Sequence, residues 1–140
     1  MTLLIIYLKM LLDFFCIFST GGLILWYKQF VNSKIDSLLN YLIKTILMDQ
    51  KRTKDTLSIN GTVLRWKVSD ENKLIFVVAY QEAYSLLYVD KLINMVLTDF
   101  IKNDLDKTSR QGAVYLDSYV YNQTFMTILN LWEKVSRYKI

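Results

Sequence analysis

Residues 12–19, "LDFFCIFS", carry apolar side chains on both parities: Phe14, Cys16 and Phe18 on one, Phe15 and Ile17 on the other. Successive side chains of a strand point to opposite faces of its sheet, so a run of this kind needs cover on both sides. "KLIFVVAYQ", residues 73–81, shows the same property. Two strands buried on both faces constrain the fold more than any other feature. They demand a sheet sandwiched between helices, and those helices must come from the rest of a chain of 140 residues, a length that suits one domain.

The intervening segments supply them. Thr20-Gly21-Gly22 follows the first run and offers the positive φ of a tight hairpin, and Leu23 to Tyr27 returns as the partner strand. Ile35, Leu38, Leu39, Leu42, Ile43, Ile46 and Leu47 then recur at helical spacing, with Asn32 or Ser33 as N-cap and Asp36 favouring the N-terminal dipole. The opposite face of that helix is polar. In "LSINGTVLRWKVS", Asn60-Gly61 reads as a turn, and Leu64, Trp66 and Val68 alternate with Arg65 and Lys67, which predicts a half-exposed strand at a sheet edge. Asp70-Glu71-Asn72 is a turn before the second doubly apolar strand, and "AYSLLYV", residues 83–89, reads as one more strand. Asp90 opens a helix with Leu92, Ile93, Val96, Leu97, Phe100 and Ile101 on one stripe. A polar stretch with Gly112 and "AVYLDSYVY" lead to a last helix with Phe125, Ile128, Leu129, Trp132 and Val135 inward. The expected order is β-β-α-β-β-β-α-α. The fold class is α/β in the α+β sense: a five-stranded antiparallel sheet with one helix on one face and two on the other, the longin/SNARE-like arrangement.

The N-terminal segment also has to be tested as a membrane element. A spanning helix needs roughly 20 predominantly apolar residues. Residues 2–27 are long enough, but Lys9 and Asp13 interrupt them and Ser19-Thr20-Gly21-Gly22 falls in the middle. A secretory signal wants positive charge ahead of its apolar core and a small-residue cleavage site behind it. The first charge, Lys9, comes after "TLLIIYL", and no such site follows. Folded structure from about residue 11 is the better account.

Chemistry is narrowly bounded. The chain has no histidine and a single cysteine, Cys16, which excludes Ser-His-Asp and Cys-His catalysis and His- or multi-Cys zinc sites within it. Its carboxylates show no pair placed for acid–base work. There is no phosphate-binding loop: Gly21-Gly22 is followed by Leu-Ile-Leu. A catalytic site, a cofactor site and a metal site are all expected to be absent. The formal charge of +4 is spread out except at Lys51, Arg52 and Lys54, a cluster read as a solvated loop rather than a nucleic-acid stripe. Asn60-Gly61-Thr62 and Asn122-Gln123-Thr124 fit the glycosylation pattern, but without disulfides or a signal the first reads as a turn. The aromatic residues fall in strand and helix stripes, as core packing requires.

Two motifs carry a family resemblance. "DFFCIFSTGGLILW", residues 13–26, resembles the opening of the signal recognition particle receptor alpha family, with its Asp-Phe-Phe, Gly-Gly and Trp-terminated strand. "LIFVVAYQEAYSLLYVDKLINMV", residues 74–96, is similar to that family's Phe-Val-Val, Gln and Tyr-Val-Asp-Lys-Leu-Ile run. The resemblance covers about residues 10–138. It divides the chain into an apolar extension, residues 1–9, and a longin-like SRX domain, residues 10–140. Family members begin near Met10, and the loop from Lys51 to Thr62 has no close counterpart.

The resemblance implies a non-catalytic interaction module. Its partner would be the receptor's beta subunit, a small membrane-anchored GTPase bound in its GTP form. That contact would hold the receptor on the cytoplasmic face of the endoplasmic reticulum, serving the signal recognition particle and the ribosome indirectly. The targeting GTPase of the alpha subunit would lie downstream of a charged linker. Membrane association would come through the partner, with no direct nucleic-acid binding. The expected docking residues are the hairpin tip (Thr20, Gly21, Gly22), Lys28 just beyond it, and Asp36, Asn40 and Lys44 on the polar face of the first helix. Two other readings stand beside this one: another longin-like vesicle-trafficking or adaptor subunit, and a small membrane protein anchored through residues 2–27.

Overall fold

A computed structural model describes residues 12–30, 36–48, 55–84, 86–103 and 118–138. The elements run β1 (Leu12–Ser19), β2 (Ile24–Gln29), α1 (Asp36–Met48), β3 (Thr56–Ile59), β4 (Thr62–Ser69), β5 (Leu74–Gln81), a 3-10 turn (Glu82–Tyr84), α2 (Val89–Asn103) and α3 (Ser118–Tyr138). The extension of residues 1–9, the caps Asn32 and Ser33, the basic cluster of Lys51, Arg52 and Lys54, and Gly112 lie outside the described residues.

The strands form one sheet in the order β2-β1-β5-β4-β3, every neighbouring pair antiparallel. The two doubly apolar strands, β1 and β5, lie side by side in the middle, which is why neither can tolerate a polar face. One layer of core joins Phe14, Cys16, Phe18, Leu64, Trp66, Ile75, Val77 and Ala79 to Leu39, Leu42 and Ile46 of α1. The other joins Phe15, Ile17, Trp26, Phe76 and Val78 to α2 and α3. One helix therefore covers one face and two cover the other, as the parity of β1 requires.

The sheet departs from expectation in two places. Residues 83–89 do not make a strand: Glu82–Tyr84 form a 3-10 turn and Val89 already begins α2. The missing strand is β3, four residues long and paired with β4 through the Asn60-Gly61 turn. Both turn residues take positive φ, 51° and 82°, the signature of a tight I′ hairpin. β4 is thus interior, flanked by β3 and β5. Its alternation has another cause. Leu64 and Trp66 face the α1 layer, while Arg65 and Lys67 face the flank of α2, where Arg65 Nη1 lies 3.2 Å from Asp90 Oδ1 and Lys67 Nζ donates to Asn94 Oδ1.

At the β1–β2 connection Ser19 organises the turn. Its amide donates to Leu23 O at 2.8 Å, its carbonyl accepts Gly22 N at 2.8 Å, and its hydroxyl accepts Leu23 N at 3.1 Å. Of the two glycines only Gly22 has a positive φ, 91°. A Cβ on Gly21 would meet only Ser19 Oγ, at 3.6 Å, an ordinary contact. Gly22→Ala is therefore expected to cost about 1–2 kcal/mol, the penalty of a left-handed residue with a Cβ, whereas Gly21→Ala should be nearly neutral. Urea unfolding of the pair checks this, and equal midpoints would refute it.

Candidate docking surface

β2 is an edge strand whose two faces differ. The register Ile17↔Trp26 passes to Phe18↔Ile24, so Leu25 is an extra residue in a bulge. Leu25 and Trp26 consequently both turn to the α2–α3 layer. There Trp26 meets Tyr121 edge-on at 4.8 Å and Phe125 at 5.0 Å. Residues directly opposite in an antiparallel pair share a face. Tyr27 pairs with Cys16 and Ile24 with Phe18, which places both on the α1 side. α1 packs over β1, β5 and β4 and leaves this flank bare: Ile24 is 40% exposed and Tyr27 60%. Leu23 in the turn and Tyr41 on the outer side of α1 are exposed as well.

The residues singled out from the sequence do not gather at one point. Thr20, Gly21 and Gly22 sit at the hairpin tip, which is anchored by Thr20 N donating to Lys73 O at 3.0 Å in the β4–β5 turn. Lys28 is not beside the tip. It stands near the opposite end of β2, paired with Phe15 and half-buried, and at about 3.4 Å per residue the six steps from Gly22 make roughly 20 Å. Asn40 and Lys44 are exposed on α1, and Asp36 opens that helix, though its side chain lies outside the described residues. Sequence reasoning missed Leu23, Ile24 and Tyr27, while Tyr41 falls on the α1 face already read as solvated or partner-binding. Leu23 and Ile24 read as ordinary members of a core strand, and only the bulge and the reach of α1 leave them outside.

Beneath the edge, Asp13 is a buried carboxylate, 8% exposed. It occupies a register shift between Leu12 and Phe14, accepts Gln81 Nε2 at 2.7 Å on Oδ2, and its carbonyl accepts Phe30 N at 2.8 Å. Desolvation pushes its carboxyl above the ordinary value, and the bond from Gln81 pulls it partly back. The folded protein therefore holds this proton more tightly than the unfolded chain does. The contribution to stability is present below the ordinary carboxylate value and is lost as pH rises through the folded one. Asp13→Asn keeps an acceptor for Gln81 and removes the charge. It should be at least as stable as the parent at neutral pH, with the difference shrinking in mild acid. Urea midpoints at the two pH values test this, and a variant weaker at neutral pH would refute it.

Nothing else described suggests chemistry. Cys16 is fully buried, and desolvation pushes its thiol to about 12, too high for a nucleophile. Among the described residues no three His, Cys, Asp or Glu side chains come together as metal ligands. An open cavity of about 420 Å³ lies between β4 and α2, lined by Asp55, Lys67, Asp70, Asp90 and Asn94 among others. Asp90 is paired with Arg65, and Lys67 donates to Asn94. Among the described residues no helix is long and apolar enough to cross a membrane, and residues 12–29 of the ambiguous N-terminal stretch are sheet hairpin.

Comparisons with known proteins agree with this fold. Residues 37–137 match the family described as signal recognition particle, alpha subunit, N-terminal. The signal recognition particle receptor subunit alpha of Homo sapiens is 32% identical over 129 residues, 91% of this chain, and that of Mus musculus gives the same figures. The homologous subunit of Drosophila melanogaster is 23% identical over 128 residues. The match spans only 20% of the length of each of these relatives. Among solved structures, a chain of the mammalian signal recognition particle receptor aligns with a TM-score of 0.60 at 30% identity, over 90% of this chain and 98% of that one. A chain of the signal recognition particle receptor SRb-GTP/SRX complex from Chaetomium thermophilum aligns with a TM-score of 0.68 at 23% identity, over 85% and 96%.

Proposed function

We propose, from the premise that the chain belongs to the signal recognition particle receptor alpha N-terminal family, that it is a non-catalytic docking domain for a small membrane-anchored GTPase. The partner is the receptor's beta subunit in its GTP form. The observation that carries the reading is the family match over residues 37–137 on a sheet of SRX type. Supporting it, a fold neighbour has been solved in a complex with SRb-GTP. In this reading the contact holds the receptor at the cytoplasmic face of the endoplasmic reticulum membrane for co-translational targeting. The links to the signal recognition particle and to the ribosome run through the rest of the receptor.

Docking of this kind needs a rigid scaffold with an accessible patch, and no reactive groups. The sheet with its two helical layers supplies the first, and the β2 flank, the hairpin tip and the outer side of α1 supply the second. Thr20, Gly21, Gly22, Lys28, Asp36, Asn40 and Lys44 belong to this proposal as a dispersed polar surround. Pull-down of the purified chain with the beta-subunit GTPase, loaded with either GTP or GDP, tests the reading. Retention in the GTP state and weaker retention with GDP is expected; equal or absent binding in both would sink it.

A further inference from the structure

We infer that the α1-side row of β2, Ile24 and Tyr27 with Leu23 at its turn end, is the surface on which the partner GTPase seats; this rests on the reading above. An edge strand packed on one face normally shows polar residues on the other. β2 does not: its packed side holds Leu25 and Trp26, and its bare side still presents an isoleucine and a tyrosine. A contiguous exposed apolar row on an otherwise well-packed sheet signals an interaction site.

The same row indicates what kind of partner it takes. Ile24, Tyr27 and Gln29, the α1-side members of β2 by register, carry no charge, so the row lacks the cations that draw a chain to an anionic lipid surface. On the same side of the sheet, the exposed Asn40 and Lys44 stand on α1, whereas Lys28, paired with Phe15, belongs to the opposite face. An aromatic and aliphatic centre with a polar, partly cationic rim is the anatomy of a non-obligate protein interface, and tyrosine is among the residues that concentrate its energy. The complementary surface is a folded protein with an apolar centre and acidic groups around it, and in this reading the GTP-form face of the beta subunit provides it.

The test compares the wild-type chain with Ile24→Ser, Tyr27→Ser and, on α3 in the opposite layer, the exposed Leu131→Ser. Binding is measured to the beta-subunit GTPase loaded with a non-hydrolysable GTP analogue. All three substitutions are at exposed positions, and unchanged unfolding midpoints confirm that the variants fold. Ile24→Ser and Tyr27→Ser are expected to weaken binding roughly tenfold or more, with Leu131→Ser unchanged. As a readout independent of the variants, amides of residues 24–29 in the wild-type chain should gain protection from hydrogen exchange in the complex. If the wild type binds while both β2 variants bind equally well, the interface lies elsewhere and the docking function stands. If the wild type binds in neither nucleotide state, both ideas fall. A self-association of the free chain that Tyr27→Ser disperses, with GTPase binding unaffected, would assign the row to a second copy and overturn the inference.

Discussion

Phe125→Ala should lose about 3–5 kcal/mol, the usual cost of deleting a fully buried phenylalanine. Phe125 is the point at which α3 grips the sheet. Its ring lies 4.9 Å from Phe15, 5.0 Å from Trp26 and 6.2 Å from Phe30, between the centre of the sheet and its edge. Those rings pack onward through Tyr121 to Phe100 and Phe76, so a cavity here opens inside a continuous aromatic layer. Since whole domains are stable by only about 5–15 kcal/mol, the variant should retain a marginal fold with a sharply reduced urea midpoint. Tryptophan fluorescence, which senses Trp26 in the same cluster, follows the transition. A loss below about 1 kcal/mol would mean that α3 does not seat on the sheet as described.

Leu42→Ala is expected to cost about 2–5 kcal/mol, and its effect should be local as well as global. Among the described residues α1 is the one helix on its face of the sheet. Leu39, Leu42 and Ile46 are its buried side chains among those described, with Ile43 at the margin. Removing the central one weakens a helix that has no helical neighbour among the described residues, whereas α2 and α3 pack in one layer. Native-state hydrogen exchange should show the α1 amides exchanging through a low-energy opening while β1 and β5 keep their protection. If β5 loses protection to the same extent, α1 and the sheet form a single cooperative unit and this expectation fails. Such an opening would also disturb the face on which Asn40 and Lys44 are presented.

Much of the architecture can be read from side-chain parity. The two faces of "LDFFCIFS" separate into two cores because a strand's period is two and cannot be evaded. The stripe of α1 and those of α2 and α3 follow from the period of 3.6 in the same way. The failures occurred where the pattern was short or mixed. "TLSI" is too brief to signal a strand without its partner, and "AYSLLYV" has strand-like composition but enters a helix that Asp90 and the following stripe had already announced. The alternation in β4 predicts an edge, because Arg65 and Lys67 read as solvated. They are instead paired across the gap to α2, and no local pattern contains that helix's position.

The candidate surface was less legible. The hairpin tip and the polar side of α1 followed from turn chemistry and periodicity, yet the exposed row of β2 reads in sequence as core. Side-chain spacing determined the layers and the central pair of strands, and the resemblance of two motifs pointed to the family. Tertiary structure decided which apolar residues remain uncovered. That depends on the single-residue bulge at Leu25, between Ile24 and Trp26, and on how far α1 extends across the sheet. Hydrophobicity says that a side chain favours burial, but burial requires a partner surface, and which surfaces meet is settled only when the elements pack.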